Sequence, residues 1–219
     1  MKRKQSGFTL IEIAIVLVIV GLLLGGVLKG QELINSAKVK NLATDFRNIP
    51  VFIYGYQDKY KALPGDDSAV VAHVAGILAT TPTGAGIGRA DGVINGSWAS
   101  TTQTDESYLF WEHVRLAGLA PGATDTTVPA TYIPKNAVGG DIGITSASTS
   151  PVSNLRGSYI VCSNAIAGKF AKQLDVTLDD GNTATGSLQV VAAGTTAATA
   201  ATATTSIADD TTYLVCMGF

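Results

Sequence analysis

The sequence predicts an α+β protein, with one long amino-terminal helix followed by a domain of antiparallel strands, short helices and loops. Three observations carry this. An apolar run occupies residues 8–28 with a single charge, Glu12. Beyond it, apolar residues recur at Leu42, Phe46, Ile49, Ile53, Tyr56 and Tyr60 in alternating steps of four and three. Past Lys61 the composition turns to a weakly charged mixture rich in Gly, Ser, Thr and Ala, with strand-like runs near its end.

The run of about twenty apolar residues has the length that spans a bilayer. Lys2, Arg3 and Lys4 precede it, which holds the amino terminus on the cytoplasmic side and sends the rest across. A carboxylate costs about 2.5–3.5 kcal/mol at a bilayer centre and less near its edge, so Glu12 needs a partner. A secretory signal has an apolar core of about 7–15 residues and a small-residue cleavage site. Here the run is longer, carries Glu12, and offers only Gly25-Gly26 as such a site. A plain single-span anchor fits the hydropathy but leaves the Gly7-Phe8 junction and Glu12 unexplained.

Ser6-Gly7-Phe8-Thr9-Leu10-Ile11-Glu12 resembles the class III signal of type IV prepilins and of the pseudopilins of type II secretion. The resemblance is close over about the first thirty residues. It implies cleavage between Gly7 and Phe8 by a membrane-embedded prepilin peptidase, N-methylation of Phe8, and a role for Glu12 in assembly. Its physical logic is that the freed Phe8 ammonium, once buried, needs a carboxylate. Glu12 of an adjacent subunit is the natural one, and pairing rewards the correct docking register.

The stripe from Leu42 to Tyr60 lies on one face of a helix, with Lys38, Lys40, Asp45, Arg47, Asn48, Gln57 and Asp58 mostly elsewhere. A helix over residues 8–60 is about 80 Å long at 1.5 Å per residue, too long for one compact domain to bury. Its first half is expected to serve membrane and filament, its second half to pack on the domain. Pro50 is expected to kink it. Gly21, Gly25, Gly26 and Gly30 weaken helix propensity. Many members of the family carry a helix-breaking proline near this place, where this chain has Val27-Leu28-Lys29-Gly30.

Leu63-Pro64-Gly65-Asp66-Asp67 is a turn cluster that ends the helix. Residues 80–97 read as loop. Residues 104–119 read as a surface helix with Leu109, Phe110, Val114 and Ala117 inward. Residues 159–162 read as a buried strand, 165–174 as a short helix, and 187–192 and 211–217 as strands. The Ala/Thr-rich stretch 194–205 reads as an exposed loop. The resemblance agrees with this order, since pilins pack a small sheet against a long helix. Phe110-Trp111-Glu112-His113 and Leu178-Asp179-Asp180-Gly181 also resemble a subset of prepilin-like proteins. The organisation expected is a leader at 1–7, a membrane and filament-core helix at 8–30, its amphipathic continuation at 31–62, and a globular head at 63–219.

The two cysteines, Cys162 and Cys216, lie in apolar strand-like runs. On the exported side of a membrane a disulfide between them is expected; the alternative is two buried free thiols. Pilins commonly tie down this region with such a bridge.

No enzyme is expected. His73 and His113 are the only histidines, they are far apart in sequence, and neither has a cysteine at ligand spacing. No G-x-S-x-G elbow occurs. Asp66-Asp67, Asp175 and Asp179-Asp180 offer oxygen ligands but do not match the spacing of a calcium loop, so solvated turns and no metal are expected. The glycines of residues 84–92 lack the Lys-Ser/Thr of a phosphate loop, and no cofactor is implied. The net charge of −2 becomes about −5 without Lys2, Arg3 and Lys4, which does not suggest nucleic-acid binding.

The resemblance therefore implies a structural subunit of a type IV pilus-like helical filament. Its partners are further copies of itself and other pilin-like subunits, the prepilin peptidase, the membrane, and an inner-membrane assembly platform with a motor ATPase. It starts as an inner-membrane precursor and ends in a surface pilus. The alternatives are a pseudopilin in a periplasmic pseudopilus, and a single-span envelope binding protein that never polymerises.

Overall fold

The computed structural model describes residues 9–74, 79–83 and 90–219. The long helix forms as the α1 helix, Leu10–Tyr60, 51 residues without interruption. It runs through Gly21, Gly25, Gly26 and Gly30, and through Pro50, whose missing N–H leaves one carbonyl of the ladder without its donor. The chain divides into two compact units between Lys38 and Val39.

The first unit, among its described residues, is the α1 segment up to Lys38. Its large apolar residues from Leu10 to Leu28 are exposed. In the second unit, α1 buries Val39, Leu42, Ala43, Phe46, Ile49, Pro50, Ile53 and Tyr56. This is the stripe read from the sequence, except that Tyr60 stays partly exposed.

Among its described residues, the rest of the second unit supplies four short α-helices. They are α2 (Val70–His73), α3 (Glu106–Leu116), α4 (Pro129–Tyr132) and α5 (Gly168–Leu178). The sheet consists of β1 (Ile142–Ser146), β2 (Tyr159–Ala167), β3 (Leu188–Ala192) and β4 (Thr212–Gly218). Its order is β1-β2-β4-β3, and every neighbouring pair is antiparallel. The α+β architecture is the one the sequence predicts.

The sheet is buried on both faces. Ile142, Ile144, Tyr159, Val161, Val190 and Val215 share a core with the α1 stripe and with Tyr108, Phe110 and Val114 of α3. On the opposite face Ile160, Cys162, Val191, Leu214 and Cys216 pack with Trp98, Val152 and Leu155. Successive residues of a strand thus enter different cores, the period-2 geometry of a pleated sheet.

Several local readings change. β1 was not foreseen: Ile-Gly-Ile-Thr-Ser is small and polar for a strand. Gly143 stands there because a Cβ would lie 1.9 Å from the Trp98 carbonyl oxygen. Thr145 donates its hydroxyl proton to the Gly96 carbonyl (2.6 Å). β2 runs on to Ala167 through a register shift between Ser163 and Ile166, with Ala165 at φ 58°, so α5 starts at Gly168 rather than at Ala165. The Ala/Thr-rich stretch is mostly exposed, yet its backbone is tied down. Thr199 N–H donates to the Pro151 carbonyl (2.9 Å), Thr202 N–H to that of Val190 (2.7 Å), and Trp98 Nε1 to that of Thr195 (2.8 Å).

The α3 helix is not a surface helix: Glu106 to Arg115 are all buried. Loops satisfy its polar residues. Arg115 has no carboxylate partner among the described residues; it donates to the carbonyls of Pro121, Ala123 and Tyr132, which holds the chain after α3 against it.

Candidate functional site at the start of the long helix

Thr9 immediately precedes α1 and sets its first turn. The Thr9 N–H and hydroxyl both donate to Glu12 Oε2, each at 2.7 Å. The Glu12 N–H donates back to Thr9 Oγ1 at 3.3 Å. This reciprocal exchange is a capping box, which satisfies donors that a helix start leaves unpaired. It also puts a carboxylate at the positive end of the helix dipole. The costly charge noted in the sequence therefore has a partner within its own chain. The T-x-x-E spacing of Thr9 and Glu12 is the sequence signal for this.

Behind Glu12 the helix surface is apolar on every side. Leu10 is 88 % exposed and Leu22 75 %, and none of the most apolar eighteen-residue window of α1 is buried. A continuous exposed surface of this kind marks contact with lipid or with other protein. Its length and composition suit membrane insertion.

Residues 2–28 match the family model of the prokaryotic N-terminal methylation motif. The chain carries the class III signal of type IV pilins and pseudopilins. The match takes in Gly7, Phe8 and Glu12, and the α+β architecture above is pilin-like. The motif implies processing by prepilin peptidase, and the proteins that bear it as a class are structural rather than enzymatic. No curated protein and no solved structure gave a significant match to the chain. Gly7 and Phe8 lie outside the described residues.

In the second unit, Cys162 and Cys216 face each other on β2 and β4 and form a disulfide. Both are fully buried, beside Trp98 and Ile160.

The turn after α1 contacts both histidines, His73 from the residues that follow it and His113 from α3. Asp67 accepts from Tyr56 Oη (2.7 Å) and lies 2.6 Å from His73 Nδ1. His113, expected at a surface, is completely buried. Its Nδ1 accepts from the Gly65 N–H (2.9 Å) and its Nε2 faces the Thr80 carbonyl (3.0 Å). One acceptor and one donor make it a neutral Nε2–H imidazole, and burial lowers its pKa accordingly. It joins the turn, Thr80 and α3 rather than holding a metal.

Asp66 and Asp67 are also buried rather than solvated. Asp66 accepts from the N–H groups of Gly92 (2.8 Å) and Asp91 (3.3 Å). Glu106 accepts from the Asn95 N–H (2.7 Å), while its Oε1 has no partner. Burial pushes Glu106 up to about 7, with the charges of Asp66 and Asp91 adding to the shift.

The third acidic group departs furthest from expectation. Asp175, Asp179 and Asp180 bring carboxylate oxygens within 4.8 Å of one another, and Asp175 is fully buried. Burial first, then the charges of Asp180 and Asp179, raise Asp175 to about 6. The Gly181 N–H leans toward it and offsets a little of this, without reaching hydrogen-bond geometry.

Proposed function

We propose that the chain is the structural subunit of a type IV pilus-like helical filament. The observation that carries this is the pairing, inside a methylation motif, of an all-round exposed apolar helix with one carboxylate at its start. In this reading the precursor inserts with residues 2–4 in the cytoplasm, and prepilin peptidase cuts between Gly7 and Phe8. The Phe8 amine is then methylated. A motor ATPase at an inner-membrane assembly platform supplies the energy to lift the helix out of the bilayer, since the subunit has no chemistry of its own.

Residues 8–30 form the membrane and filament-core segment, 31–62 its amphipathic continuation, and 63–219 the head, stapled by the Cys162–Cys216 bridge. In the fibre, the apolar residues of neighbouring copies replace lipid. Glu12 exchanges its contacts with Thr9 for the Phe8 ammonium of an adjacent copy. A carboxylate already held at the helix start needs little reordering to be presented, and a missing partner there would leave a buried charge unpaired.

The test is the mass and amino-terminal sequence of the chain in filaments sheared from cells, with Glu12→Ala beside the native protein. Native filaments are expected to contain chains that begin with N-methyl-Phe8. Glu12→Ala is expected to be cleaved and methylated but absent from the sheared fraction. Normal filaments from that variant refute the role of Glu12. A processed native chain confined to the envelope points instead to a pseudopilin. An uncut chain refutes processing and returns the single-span binding protein.

A further inference from the structure

We propose that Asp175, Asp179 and Asp180 form a calcium site that joins the end of α5 to the start of β3. Neither carboxylate oxygen of Asp175 has a hydrogen-bond partner, although the side chain is fully buried. A buried ionised carboxylate with no partner is strongly unfavourable unless a cation or a proton compensates it. The neighbouring charges are of the wrong sign: Asp179 and Asp180 sit beside it, and the ion pairs among the described residues include none of the three.

The helix adds to the same deficit. Asp175 lies in the last turn of α5 and Asp179 is its C-cap residue, the end where the helix dipole is negative and a cation is favoured. The loop is shaped around these side chains. Asp179 Oδ2 accepts from the Leu188 N–H at the start of β3 (2.8 Å). A Cβ on Gly186, which has φ +76°, would fall 2.0 Å from that oxygen. Asp180 accepts from the Asn182 N–H (2.8 Å) and the Thr185 hydroxyl (2.9 Å). Each carboxylate oxygen has two lone pairs, so these bonds orient Asp179 and Asp180 and leave them able to accept a cation.

The donor set selects the ion. It is all oxygen and anionic, which suits a hard divalent cation and not zinc or copper. The three donors lie within 4.8 Å of one another, close enough to share one ion; calcium accepts a flexible, irregular shell of six to eight oxygens, whereas magnesium demands a near-ideal octahedron at about 2.0–2.1 Å. Burial falls from Asp175 through Asp179 to the exposed Asp180, so an ion enters from solvent and can keep water among its six to eight ligands.

The experiment is thermal unfolding of the full chain in detergent, in EDTA and in graded calcium or magnesium, followed by tryptophan fluorescence. A saturable rise of about 5–10 °C is expected at a hundredfold excess of calcium over its dissociation constant. Asp175→Asn and Asp180→Asn are each expected to abolish it. If Asp175→Asn does not fold, the solvent-exposed Asp180→Asn decides alone. No rise in the native chain, an equal rise in the folded variants, or an equal response to magnesium overturns the proposal.

Discussion

Reducing the Cys162–Cys216 bridge should cost the second unit a large share of its stability. The bridge spans 54 residues of sequence. In the chain-entropy account, closing a loop of that length removes from the unfolded state an entropy worth about 4 kcal/mol at 25 °C. A domain has only about 5–15 kcal/mol in total. With a urea slope of about 2 kcal/mol per molar, the unfolding midpoint should drop by about 2 M. Trp98 and Trp111 are the only tryptophans and both are buried in the second unit, so their fluorescence reports on that unit alone. The comparison uses the oxidised full chain in detergent and the same chain reduced in denaturant and refolded with reductant throughout, which keeps the side chains identical. A drop below about 0.5 M refutes the reasoning. It would mean that the register of β2 against β4, and not the covalent link, holds the two strands together.

Glu106 predicts a pH effect. Its carboxyl is held near 7 in the fold against 4.5 when exposed, so ionisation disfavours the folded state. The stability it permits is full below about pH 4.5 and is lost as pH rises through 7. Glu106→Gln, which can keep the bond from Asn95, should be more stable than the native chain at pH 8 and equal to it at pH 4; denaturant titrations at both values check this. At Gly143, a Cβ would meet the Trp98 carbonyl oxygen at 1.9 Å. Neither backbone can yield cheaply, so Gly143→Ala should cost about 3 kcal/mol or more, read as a fall in midpoint temperature.

The long helix was legible because its signals are one-dimensional. Length and hydropathy mark its first half, and steps of three and four from Leu42 to Tyr56 mark the face that is buried. β4 and β3 were legible as apolar runs between turns. β1 was not, because Gly143 and Thr145 answer to Trp98 and Gly96, more than forty residues away in sequence, and not to strand propensity. α3 was misread for a related reason. His113 and Arg115 look like solvent-facing residues until the backbone groups of Gly65, Thr80, Pro121 and Tyr132 arrive to satisfy them. The same holds for Asp175: a sequence shows a carboxylate near a turn, but not that the fold closes over it. At the amino terminus the motif residues were plain in sequence, and the T-x-x-E spacing of Thr9 and Glu12 also signals the capping bonds between them.

The place of β4 in the sheet has a consequence for the order in which the second unit can fold. It is the last of the four described strands in sequence, yet it lies between β2 and β3. β3 pairs with β4 alone, and the partner of Cys162 arrives only with Cys216. The β2-β4-β3 part of the sheet therefore cannot form until residues 212–218 are present. Until then β3 has no strand beside it and Cys162 no partner. Pairing of β4 with both neighbours and closure of the Cys162–Cys216 bridge thus belong to one late step of folding.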